Sequence, residues 1–114
     1  MKVIKYDKLI RDNIPTIIEN AGKTCVYEVM DDNKYMDKLS EKLQEEVLEY
    51  SQEQKNNNVS AAIEELADIE EIILALLAKY NVSLEEFDDV RRRKVKKNGA
   101  FDNKYLLKEV REDD

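Results

Sequence analysis

The 114-residue sequence predicts a mainly α fold: a helical bundle of three long helices preceded by a short N-terminal one. Three observations carry this. Gly and Pro, the residues that interrupt helices, occur only two times and once, while Glu, Lys and Leu are abundant. Apolar residues recur at helical spacing over three long stretches. Residues that start or stop helices bracket each stretch.

In chain order, Asp12 or Asn13 can cap a short helix over 14–20, with Pro15 in the first turn, where its missing N–H does no harm, and a stop at Ala21-Gly22. Residues 24–30, Thr24-Cys25-Val26-Tyr27-Glu28-Val29-Met30, are β-branched and aromatic and read as a short strand. Asp31-Asp32 offers a cap for a long helix of about residues 33–55, broken by Asn56-Asn57-Asn58. Ser60 is expected to cap a second long helix, about 61–80, ended by Asn81. Ser83-Leu84-Glu85-Glu86 is a capping box that opens a third, running to about Lys97 before Asn98-Gly99. A small two-stranded β element, 24–30 with 104–110, is an optional addition to the bundle.

Composition excludes several chemistries. The chain has no His, so serine-protease and papain-type triads and His-ligated zinc or haem are ruled out. Its one Cys excludes an intrachain disulfide and a Cys-cluster metal site, and fits a reducing compartment. With 26 Asp+Glu against 19 Lys+Arg the net charge is -7, which argues against gripping a nucleic acid polymer by its phosphates. The longest apolar run, Ile72 to Ala78, is far short of the roughly 20 residues that span a bilayer. A charged N-terminus lacks the apolar run of a signal peptide, so a cytoplasmic protein is expected. The length fits one domain over 1–114.

The acids are not spread evenly. On a helical wheel, Met36, Leu39, Leu43, Val47 and Tyr50 form an apolar stripe with Glu46 at its edge and Glu49 beside it. In the second long helix Ala62, Ile63, Leu66, Ile69, Ile73, Leu74, Leu76, Leu77 and Tyr80 cover a broad apolar arc. Glu64, Glu65, Asp68 and Glu71 cluster opposite, and Ile72 intrudes on that acidic side. Between Leu43 and Gln54, and between Asn56 and Ala78, there are nine acids and no base. A solvated helix face ordinarily interleaves Glu with Lys, because like charges three or four apart repel. A carboxylate against an apolar stripe is also partly desolvated. A cation between the helices would relieve both. Carboxylates without imidazole or thiolate suit a hard ion such as Mg²⁺ or Mn²⁺, and Mg²⁺ commonly completes its shell with substrate phosphates.

Glu45-Glu46-Val47-Leu48-Glu49, followed after fifteen residues by Glu65-Leu66-Ala67-Asp68, resembles the E-E-x-x-E … E-x-x-D signature of the MazG-like all-α NTP pyrophosphatases. Lys8-Leu9-Ile10-Arg11-Asp12-Asn13-Ile14-Pro15 looks like the K-L-V-R-D-K-I-P opening of a small phosphoribosyl-ATP pyrophosphohydrolase-like subgroup. Arg93-Lys94 followed by Gly99-Ala100-Phe101 is similar to that subgroup's basic stretch and G-G-F. The chain departs from it at Asn13, where the subgroup has Lys, and at Ala100, where it has a second Gly.

The resemblance implies Mg²⁺-dependent hydrolysis of a nucleoside triphosphate between its α and β phosphates, yielding a monophosphate and pyrophosphate in a house-cleaning role. By carry-over, Glu46, Glu49, Glu65 and Asp68 are the metal ligands, and Glu45 orients or deprotonates the attacking water. Glu45 and Glu46 are thus the expected catalytic pair. Lys8, Arg11, Arg93, Lys94 and Lys97 are candidates for the phosphates and Phe101 for the base. Arg91, Arg92 and Lys96 read better as cations near a helix C-terminus. The apolar breadth of the second long helix predicts a homodimer. Two alternatives stand beside this reading: phosphoribosyl-ATP hydrolysis in histidine synthesis, and a non-catalytic helical module whose acids meet a basic partner.

Overall fold

A computed structural model of the chain describes residues 1–112. The fold is mainly α, with four helices among the described residues: α1 (Ile14–Asn20), α2 (Asp32–Lys55), α3 (Val59–Lys79) and α4 (Leu84–Asn98). The chain divides into two compact units, the first Met1–Asn81 and the second beginning at Val82. Among the described residues no helix is long and apolar enough to cross a membrane.

Three of the helix starts follow side-chain chemistry; α1 does not, since Asn13 precedes it without a side-chain capping hydrogen bond, and the cap expected from Asp12 or Asn13 does not form. Asp31 caps α2 by accepting the Lys34 N–H at 2.8 Å. Ser83 caps α4 by accepting the Glu86 N–H at 3.1 Å, and its hydroxyl donates back to Glu86 Oε1 at 3.2 Å. Glu86 therefore closes the box on the Ser83 side chain rather than on its backbone. α3 corrects the sequence reading. Its cap is Asn58, which accepts the Ala61 N–H at 3.2 Å, and Ser60 lies inside the first turn. Asn takes the role because the chain reverses within three residues, and Asn57 adopts the left-handed φ of 56° that such a reversal requires. Asn81 (φ 57°) ends α3 in the same way, and Gly99 (φ 85°) ends α4.

The expected strands do not form: 24–30 and 104–110 are both without regular structure. β-branched residues suit a pleated surface only when a neighbouring strand pairs the backbone and covers one face. Val26 and Val29 are instead almost wholly exposed, as are Leu106 and Leu107.

In the first unit α2 and α3 pack on each other as an antiparallel hairpin. Lys79 at the end of α3 meets Asp32 at the start of α2, Nζ to Oδ1 2.7 Å. The 14 residues from Asp32 to Glu46 equal the 14 from Lys79 back to Glu65, so the helices stay in step. The same register sets Leu39 level with Ile72, and these two are buried with Ala62. Full burial of a Leu or Ile contributes about 1.5–3 kcal/mol.

This seam keeps Ala62, Ile69 and Leu76 of the arc expected for α3 but shifts the packed face toward Glu65 and Ile72. Ala62, Glu65, Ile69, Ile72 and Leu76 line the side toward α2, alternating three and four apart, and all are buried or half-buried. Ile72, expected on the acidic side, is 8% exposed, whereas Ile63 and Leu66, expected in the core arc, are 59% and 44% exposed. On α2 the seam runs through Leu39, Lys42, Glu46, Glu49 and Glu53, while Val47 is exposed. A wheel finds the most apolar arc of one helix but carries no information about which arc its neighbour occupies. Here the neighbour overlaps the apolar arc and reaches past it to Glu65, while Glu64 and Glu71 stay exposed.

Candidate metal centre

Glu46 is 5% exposed, the one buried charged residue among those described. α2 presents it to the hairpin seam and sets Glu49 one turn along on the same side. α3 supplies Glu65 and Asp68 by the same three-residue spacing. Two groups of carboxylates result, Glu45–Glu46–Glu49 and Glu46–Glu65–Asp68, each with one oxygen per residue lying within 4.8 Å of the others. Glu46 belongs to both. The five acids of the sequence signature thus converge across two helices.

The electrostatics are those of crowded carboxylates. Oε2 of Glu46 and Oε2 of Glu65 are both buried without a hydrogen-bond donor. Two ionised carboxylates cannot donate to one another, so the pair calls for a proton or a cation between them. With a proton, Glu65 is the holder: its hydrogen bond to Glu46, then burial and the Glu49 carboxylate, push its pKa up to about 8. Burial works to raise Glu46 as well, but the hydrogen bond with Glu65 and the Lys42 ammonium outweigh it and hold Glu46 below its ordinary value. Glu49 is raised by burial and by the Glu46 charge.

Two cations touch the cluster. Lys42 Nζ lies 3.4 Å from Glu46 Oε1 and 3.5 Å from Glu45 Oε1. Arg11, from the segment before α1, forms an ion pair with Asp68 across a separation of 57 residues. Leu9 and Ile10 beside it are half-buried. Lys42 escapes a search for bases within the acidic stretch because it sits just before it, although its spacing to Glu46 is the ordinary i,i+4 one. The Arg11–Asp68 pair has no local signal.

Lys8 lies outside the carboxylate groups. Its ammonium sits 5.4 Å from the centre of the Tyr6 ring, and it lines a small cleft with Asp7, Leu9, Lys38, Glu41, Lys42 and Glu45. Lys38 pairs with Glu41 at 3.3 Å and donates to the Asp7 carbonyl at 3.3 Å. In the second unit, Arg93, Lys94 and Lys97 share one exposed face of α4, flanking a shallow groove with Val90 and Asn98. Arg91 and Arg92 are tied to Asp88 at 2.8 and 2.9 Å. Phe101 is 97% exposed just beyond Gly99.

The donor set fits a hard divalent cation. All the candidate ligand atoms are carboxylate oxygens, and Glu46 and Glu65 each carry a buried one that lacks a donor. Oxygens around an octahedral Mg²⁺ lie at most about 4.2 Å apart, given bonds of about 2.1 Å. The carboxylate oxygens of each group lie within 4.8 Å of one another, a spacing of that order. No protein-family model matches the chain, and neither a curated protein nor a solved structure matches it.

Proposed function

We propose that the protein is a Mg²⁺-dependent nucleoside triphosphate pyrophosphohydrolase, acting in the cytoplasm to clear nucleotides by cleavage between the α and β phosphates. The observation that carries this reading is the buried Glu46, grouped with Glu65 and Asp68 and carrying, like Glu65, a buried Oε2 that has no donor. In this reading Glu46, Glu49, Glu65 and Asp68 hold the ion, and Mn²⁺ can replace Mg²⁺. The ion neutralises phosphate charge and makes phosphorus more open to attack. Glu45, at the rim of the cluster and half-buried, orients the attacking water and takes its proton. The water oxygen bonds to phosphorus as the α–β bridging bond breaks, and pyrophosphate leaves. Lys8 and Arg11, in the same unit as the carboxylates, are proposed to meet the phosphates.

The test is a panel of nucleoside triphosphates, with phosphoribosyl-ATP included, incubated with Mg²⁺ while pyrophosphate is followed. Wild type should release it, and Glu46→Gln or Asp68→Asn should lower turnover at least about 100-fold with an unchanged circular dichroism spectrum. Full turnover in both variants, or no release from any nucleotide, would refute the assignment.

A homodimer belongs to the same proposal. It is supported by Val47, Leu48, Ile63 and Leu66, apolar residues exposed on α2 and α3. Sedimentation across a concentration series should give twice the chain mass, and Leu66→Lys should shift the protein toward the monomer. A monomer at all concentrations would remove the dimer without touching the chemistry.

A further inference from the structure

Two of the proposed ligands are already neutralised in the ion-free protein, each by a cation of the chain itself. Arg11 is paired with Asp68. Lys42 is paired with Glu46, which is 95% buried by its 5% exposure and still carries one oxygen without a donor. Both pairs sit where an ion would bind. The Arg11–Asp68 pair is open to water, with side chains 59% and 37% exposed. An exposed pair of this kind holds its partners by a factor of about five at most, so it is readily exchanged. Arg11 would not leave the neighbourhood on release, because the half-buried Leu9 and Ile10 anchor its segment independently of the ion pair.

We propose that Arg11 and Lys42 are exchange cations: they neutralise Asp68 and Glu46 in the ion-free protein and bind the substrate's polyphosphate once those carboxylates become metal ligands. The inference rests on reading Glu46 and Asp68 as metal ligands. It assigns Lys42 a binding role and makes metal and phosphate binding mutually reinforcing. Linkage requires the coupling to be reciprocal: whatever factor the metal adds to polyphosphate affinity, polyphosphate adds to metal affinity. A guanidinium and an ammonium are both suited to phosphate oxygens, the first through paired N–H groups and the second as a point charge. Removal of either cation should therefore have opposite effects on the two ligands. The ion should bind more tightly to the nucleotide-free protein, having lost a competitor, and polyphosphate should bind more weakly.

The experiment uses the full chain and two probes that need no knowledge of the base: Mn²⁺ alone, followed by the paramagnetic resonance of the free ion, and tripolyphosphate at saturating Mn²⁺, followed by calorimetry. Arg11→Gln and Lys42→Gln are compared with Lys38→Gln, which removes a cation one turn from Lys42 that is paired with Glu41. Arg11→Gln and Lys42→Gln should each tighten Mn²⁺ at least threefold and weaken tripolyphosphate at least tenfold. Lys38→Gln should change each less than twofold, and Arg11→Lys should recover part of the tripolyphosphate affinity. If Mn²⁺ binds wild type but the two variants behave like Lys38→Gln, or polyphosphate binding is unchanged, the exchange is overturned while the metal centre stands. If wild type binds no Mn²⁺, the metal centre and the exchange fall together.

Discussion

At the scale of the residue, burial raises both Glu46 and Glu65, and their hydrogen bonds and charged neighbours set them apart. Glu46 is stabilised as the anion by Glu65 and Lys42, whereas Glu65 is left as the acid of the pair. The consequence for stability has a definite sign. The Glu65 pKa is about 8 in the folded protein against an ordinary 4.5, so between those values the unfolded chain binds fewer protons than the native one. Stability of the ion-free protein should then fall as pH rises from about 4.5 to 8. Glu65→Gln should remove this decline and be the more stable form at pH 8, as checked by thermal melts in chelator at several pH values. A wild type whose stability is flat or rising across that window would contradict the pairing. Glu46→Gln should bring no such gain, because the native state already favours its charge. The sequence allowed these acids to be picked out because two stretches hold like charges with no base among them. It could not reveal which of them would be protonated, since that depends on a meeting between two helices.

At the scale of the element, helix limits were legible where a side chain caps locally, as at Asp31 and Ser83. The start of α3 was misread because Asn58 and Ser60 both have capping chemistry and only the tight reversal chooses between them. Asn58→Ala should therefore destabilise the protein by about 1 kcal/mol, within a range of about 0.5–2. Ser60→Ala should change it by less than about 0.5 kcal/mol. Urea unfolding of the two variants decides the matter, and a larger loss in Ser60→Ala than in Asn58→Ala would return the cap to Ser60. The strands over 24–30 and 104–110 were misread for a different reason: β propensity records a fit to a covered pleated surface, and neither segment forms one. The wheel of α3 located the packed face only in part, because that helix is apolar over more of its circumference than one neighbour covers. Ala62 and Ile69 of the expected arc are buried or half-buried, as is Ile72 beyond it, while Ile63 and Leu66 stay exposed.

At the scale of the whole molecule, the mainly α class followed from the scarcity of Gly and Pro and the length of the periodic stretches, and the structure has it. The proposed chemistry is concentrated in the hairpin of the first unit. All five clustered acids lie between Glu45 and Asp68, on two helices joined by Asn56–Asn58. That placement gives the cluster a short path along the chain. Closing a loop becomes more costly only with the logarithm of its length, and contacts near in sequence form in the fast-folding regime of helical proteins. The carboxylates are brought together by one chain reversal between neighbouring helices, without a long-range pairing to wait for. Their mutual repulsion thus enters during closure of the hairpin itself, making the cluster a burden on the folding path as well as on the finished fold.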